Sequence, residues 1–177
     1  MDTPGQLRPI VQEISNTAAL RDAVEKTKEN MKDTVLKYFF ELGKSLGFIS
    51  LENAPLLRYS TNIGNIDCVW RDNDHIAVGL NIVFGSKEET LAAIFKLAEL
   101  SPALGVIVIS SKSTSGFTVN SLSSLLKLSP LLHDLHPFMI IDVSTGATEL
   151  IQHIHNEPFQ EQRRRKPIVG FRPKTQD

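Results

Sequence analysis

The chain has 177 residues, of which 41% are apolar and 22% charged, with a formal net charge of −1. That size and composition fit one globular domain of roughly 100–200 residues with a sizeable core, and the near-neutral charge singles out no class of partner. The lone cysteine, Cys68, excludes an intramolecular disulfide framework and a multi-cysteine zinc site, and on an apolar strand face it reads as a small core residue. The opening MDTPGQLRPIV does not resemble a signal peptide, and no apolar run approaches the ~18–20 residues of a membrane span. A cytoplasmic or otherwise intracellular protein with no membrane partner is expected.

Residues 1–32 read as an N-terminal helical extension. Leu7, Ile10, Val11 and Ile14 lie at helical spacing, Ser15-Asn16-Thr17 interrupts the helix, and Leu20, Val24 and Thr27 form a narrow stripe beyond it. Such helices are expected either to flank the main domain or to serve as a homodimerisation arm. Residues 33–156 form the main α/β domain. From Asp33, a broad face of Val35, Leu36, Phe39, Phe40, Leu42 and Leu46 predicts a helix ended by Gly47. A short strand Phe48–Leu51, a loop over Glu52–Pro55 and a pairing segment Leu56–Tyr59 follow. The runs Ile66–Trp70 and Ile76–Phe84 alternate about the turn Arg71-Asp72-Asn73-Asp74 and predict a hairpin, in which Asp72 and Asp74 are turn formers. Alternation groups Ile66, Cys68 and Trp70 on one face, with Asp67 pointing away, and Ile76, Val78, Leu80 and Ile82 on another.

Ser86 and Glu88-Glu89 open a helix to about Leu100, with a stripe of Leu91, Ile94, Phe95 and Ala98. Val106–Ile109 and Phe138–Val143 are continuous apolar runs expected as strands buried on both faces, with helices over Val119–Leu128 and Thr145–Asn156. The result is a three-layer α/β/α sandwich with a mixed central sheet. From Glu157 to Asp177 the chain reads as a basic tail carrying Arg163, Arg164, Arg165 and Lys166.

A helix bearing Glu41, a Gly-x-Ile-Asp strand, a turn, a second strand and Phe-Gly-Ser-Lys-Glu-Glu opening a helix resemble the PD-(D/E)xK, or restriction-endonuclease-like, nuclease superfamily. The resemblance runs from roughly Val35 to Val143. It implies a restriction-endonuclease-like fold in which Asp67, with Glu41 from the first core helix and the Leu80 carbonyl, would hold Mg²⁺ or Mn²⁺ and activate water. The family's acidic-x-Lys pair falls on Gly79 and Asn81, which cannot replace it, so the resemblance implies a degenerate site. Migrated replacements for the missing groups are Glu88 or Glu89 for the acid and Lys87 or Lys96 for the lysine.

Among other candidates, His133 and His136 lack a third ligand in register, and His153 and His155 are about 200° apart on a helix, so structural or surface roles are expected. The loop Ser110–Gly116 lacks the spacing of a phosphate-binding P-loop. Lys87, Lys112 and Arg163–Lys166 are the candidate contacts to DNA or RNA phosphates. Three readings follow: a catalytically inactive nuclease-fold protein acting in nucleic-acid or protein binding, an active Mg²⁺-dependent DNA endonuclease with migrated ligands, and a structural dimeric assembly subunit.

Overall fold

The structure, a computed structural model, describes residues 4–27, 30–112, 116–128 and 136–152. Three helices come first: α1 (Pro4–Ser15), α2 (Thr17–Lys26) and α3 (Met31–Ser45). The Asn30 side chain caps α3 by accepting from the Lys32 N–H. At the other end Gly47, at φ +90°, donates to the Lys44 carbonyl and Phe48 donates to that of Gly43. These paired bonds are those of a glycine-terminated helix, as the Gly47 position predicts.

Three strands, β1 (Ile49–Arg58), β2 (Thr61–Asp72) and β3 (His75–Val83), follow, each antiparallel to the next. Helix α4 (Lys87–Leu100) leads to β4 (Leu104–Ile109), and α5 (Val119–Leu128) to β5 (Phe138–Asp142). Strands β3, β4 and β5 are parallel, and a final antiparallel strand β6 (Thr148–Ile151) completes a six-stranded mixed sheet in the order β1-β2-β3-β4-β5-β6. The two crossovers step in the same direction along the sheet, so their shared handedness places α4 and α5 on one face.

Two apolar clusters make this a layered α/β fold. Ile10, Ile14, Leu20, Val35 and Phe39 from α1–α3 pack with Trp70, Leu80, Val106, Val108, Met139 and Ile141. On the opposite face Ile94, Leu97, Leu122 and Leu126 pack with Val69, Ile107, Ile109, Phe138 and Ile140. The runs in β4 and β5 thus feed both layers alternately, as continuous apolar strands must. The apolar stripe of the N-terminal helices is used within this chain, as a flank of the domain.

Several expectations are corrected. β1 continues through Glu52–Pro55, where a loop was expected; an edge strand tolerates Pro55, which has no N–H to give a neighbour. Thr145–Asn156 is not a helix in its described part. The chain reverses at Gly146, φ +77°, and Thr148–Ile151 pairs with β5. The buried residues of α4 are Thr90, Ala93, Ile94 and Leu97, while Phe95 is 57% exposed. Ile76 packs on the α4–α5 side, away from Val78, because the β2–β3 register shifts between Trp70 and Arg71. Ile66 also lies on that side, whereas Cys68 and Trp70 face α3. No described helix is long and apolar enough to cross a membrane.

Candidate functional site

Val83, Ile109 and Asp142 lie in register, so the three parallel strands end at one edge of the sheet. Asp67 lies close to this edge, where β2 and β3 part. Main-chain pairing of these strands extends only to Cys68 opposite Leu80. Beyond it the side chains take over: the Asp67 N–H donates to Asn81 Oδ1 (3.1 Å), and Asp67 Oδ2 accepts from the Ile82 N–H (2.7 Å). A carboxylate and an amide thus replace two rungs of the ladder, and the strand changes face between Ile66 and Cys68 at this irregularity.

Both residues also have partners beyond this pair. Asp67 Oδ1 pairs with Lys32 Nζ at 3.2 Å, from the first turn of α3. Asn81, 4% exposed, donates from Nδ2 to the Ala93 carbonyl in α4 (3.3 Å). Position 81 needs one acceptor and one donor, which an amide supplies and a carboxylate or ammonium does not. Burial pushes the neighbouring Cys68 thiol up to about 12, a rise that the Trp70 contact opposes and Glu52 and Asp67 reinforce, so it is no nucleophile.

Glu41 does not join Asp67. The sheet-facing positions of α3 are Val35, Phe39 and Gly43, and Glu41 lies about 200° round the helix from Phe39. Its carboxylate pairs instead with Lys44 at 3.4 Å, beside a surface groove of about 400 Å³ formed with Ala23, Lys37 and Tyr38. Gly79 lies under α4: a Cβ there would stand 2.6 Å from Leu100 Cδ2 and 3.0 Å from Leu97 Cδ2. The position of the family's acid is therefore a close strand–helix contact, on the face away from Lys32. Gly79→Ala is expected to cost about 1–2 kcal/mol through overpacking, read by thermal or urea unfolding. The double change Gly79→Glu/Asn81→Lys, which restores the family pattern, should unfold the domain rather than create cleavage.

The proposed substitutes serve other ends. Glu89 donates its N–H to Ser86 Oγ (3.2 Å) in the α4 cap, and the Glu88 carboxylate is lowered by hydrogen bonds from its own backbone and Ser86. Lys96 lies along Gly64, with Nζ 3.5 Å from the Asn65 carbonyl. Lys87 Nζ sits 5.4 Å above the Phe117 ring, in the loop after β4 that also carries the exposed Lys112. His136 bonds Ser101 Oγ at 2.5 Å. His133, His153, His155 and Arg163–Lys166 lie outside the described residues.

Mg²⁺ binding needs several hard oxygen ligands in near-octahedral array. Here both Asp67 oxygens are engaged, Asn81 Oδ1 is engaged, Glu41 faces elsewhere and Leu80 lies mid-sheet between Cys68 and Val106. Among the described residues no group of three or more His, Cys, Asp or Glu side chains could hold a metal ion. The residues present do not fit the metal.

Two features escaped the sequence reading. Lys32 belongs to the sheet-facing stripe of α3, seven residues before Phe39, a spacing that does place it toward the sheet. Asp142, 2% exposed, gathers Ser111, Ser144 and Thr145 at the carboxyl edge. The Asp-x-Ser-Thr that follows a buried strand was the available signal, since Asp at that place bonds the backbone two residues on. No protein-family model, curated protein sequence or solved structure matches the chain.

Proposed function

We propose that the chain is a restriction-endonuclease-like protein with a degenerate metal site, and that it binds nucleic acid without cutting it. The observation that carries this reading is the state of Asp67, whose carboxylate holds the splayed β2–β3 strands together and neutralises Lys32. A carboxylate committed in this way, with no group of three or more His, Cys, Asp or Glu side chains gathered among the described residues, makes a poor metal site. Phosphate contact falls to Lys87 and Lys112 at the carboxyl edge, where open α/β sheets place ligands, and to Arg163–Lys166.

The test is calorimetric titration of Mn²⁺ and Mg²⁺ with plasmid cleavage, using Asp67→Ala as control, alongside DNA binding across a salt series. The expected result is no metal heat that depends on Asp67, no cleavage, and an affinity that falls as salt rises. Replacing Arg163–Lys166 by alanine should reduce the magnitude of the salt slope by up to about 3–4. Cleavage abolished by Asp67→Ala would instead establish an active enzyme with migrated ligands. Failure to bind DNA even at low salt would favour a role in protein assembly.

A further inference from the structure

Exposed large apolar side chains are concentrated on the β1–β2 hairpin: Ile49, Leu51, Leu57, Tyr59 and Ile63. Ile49 and Leu51 lie together at the start of β1, whereas Leu57, Tyr59 and Ile63 lie at the turn end of the hairpin. β1 is also an edge strand, so one side of its backbone has no strand neighbour. Ser50 faces α3, against Gly43 and Trp70, so its neighbours Ile49 (59% exposed) and Leu51 (37% exposed) point to the other face of the sheet.

The first part of β1 has natural limits. Residues 48–52 are bracketed by two left-handed positions, Gly47 (φ +90°) and Asn53 (φ +50°). An antiparallel copy of this segment keeps all five residues paired only when Ser50 meets Ser50 on a twofold axis. In that register Ile49 of each copy stands opposite Leu51 of the other, so four apolar side chains meet on the uncovered face. The segment's one charge, Glu52, falls opposite Phe48, and no like charges meet. The charged blocking residues that usually protect an edge are absent between Phe48 and Leu51.

We propose that a second copy of this chain covers this edge, forming a twofold dimer by antiparallel pairing of residues 48–52. A dimer of this kind needs no other chain and closes on itself, leaving no further edge of the same sort exposed. It places the dimer contact on β1, away from the N-terminal helices, and it stands whether or not the protein binds nucleic acid.

Sedimentation of the full chain over a concentration series tests this. The expected result is a species of twice the 19.7 kDa chain mass. Leu51→Lys and Ile49→Glu should each weaken dimerisation at least about tenfold, with the far-ultraviolet circular dichroism of the folded chain retained because both side chains are exposed in the single chain. Mixed in equal amounts, the two variants should recover dimer, since the register sets the Leu51→Lys ammonium of one copy opposite the Ile49→Glu carboxylate of the other. Leu128→Lys, on the exposed face of α5, should leave the dimer unchanged. A wild-type monomer at every soluble concentration, a dimer indifferent to both edge variants, or failure of the mixture to recover dimer would each overturn the proposal.

Discussion

Asp67→Ala is expected to destabilise the protein by about 2–3 kcal/mol, measured as a shift in urea midpoint at unchanged slope. The Ile82 N–H now bonded to Asp67 Oδ2 belongs to a residue only 2% exposed, and no main-chain carbonyl of β2 stands ready to replace the lost acceptor. An orphaned buried donor accounts for most of the loss. The ion pair with Lys32 adds little, because its side chains are 44% and 25% exposed, and Lys32→Met should cost under about 1 kcal/mol. The contrast is informative. A carboxylate retained for metal chemistry commonly sits at a cost to the apo fold, so removing it leaves stability unchanged or improved. A loss concentrated on Asp67 and barely present on Lys32 therefore identifies a side chain that completes a sheet.

The same corner shows where sequence patterns stop informing. Strands β4 and β5 and helix α5 are legible because their apolar runs and turn residues act locally, and α3 is legible from its stripe together with Gly47. The layered α/β arrangement follows from these. The faces of β2 and β3 are misassigned because strict alternation assumes an unbroken ladder, and two irregularities, at Asp67 and at Trp70/Arg71, each reverse the faces. Neither irregularity falls on a glycine or proline, the residues that usually mark one. Glu41 was attached to Asp67 by the resemblance, yet helical geometry alone separates it from the sheet-facing residues Val35, Phe39 and Gly43. Asn81 was legible as a poor metal ligand but not as a bridge, since its partners, the Asp67 N–H and the Ala93 carbonyl, meet only in three dimensions.

The larger loss is expected at Asp142, where replacement by alanine should cost about 3–5 kcal/mol. Its Oδ1 accepts from the N–H groups of Ser111 (3.1 Å) and Ser144 (3.0 Å) and from Ser144 Oγ (2.6 Å). Its Oδ2 accepts from Ser111 Oγ (2.5 Å) and Thr145 Oγ1 (2.7 Å). One carboxylate thereby joins the end of β4 to the turn after β5, and Thr17 ties α2 to the same turn through the Gly146 carbonyl (3.0 Å). Burial pushes this carboxyl upward, but the hydrogen bonds from Ser111, Ser144 and Thr145 prevail and hold it at about 2, below its ordinary 3.8. A folded value below the unfolded one means that the contribution is complete above the ordinary carboxylate range and is lost as pH falls from there toward about 2. Unfolding measured between neutral pH and that region should show this acid-side decline in the wild type, while both Asp142→Ala and Asp142→Asn should lack its share. Asparagine should nonetheless cost less than half as much as alanine at neutral pH. Its oxygen can keep the Oδ1 position, where two backbone N–H groups have no alternative, and its amide then faces only hydroxyls at the Oδ2 position. A hydroxyl can rotate from donor to acceptor, whereas a backbone N–H cannot. Equal losses for asparagine and alanine would mean that the negative charge, rather than the pattern of donors, holds this turn.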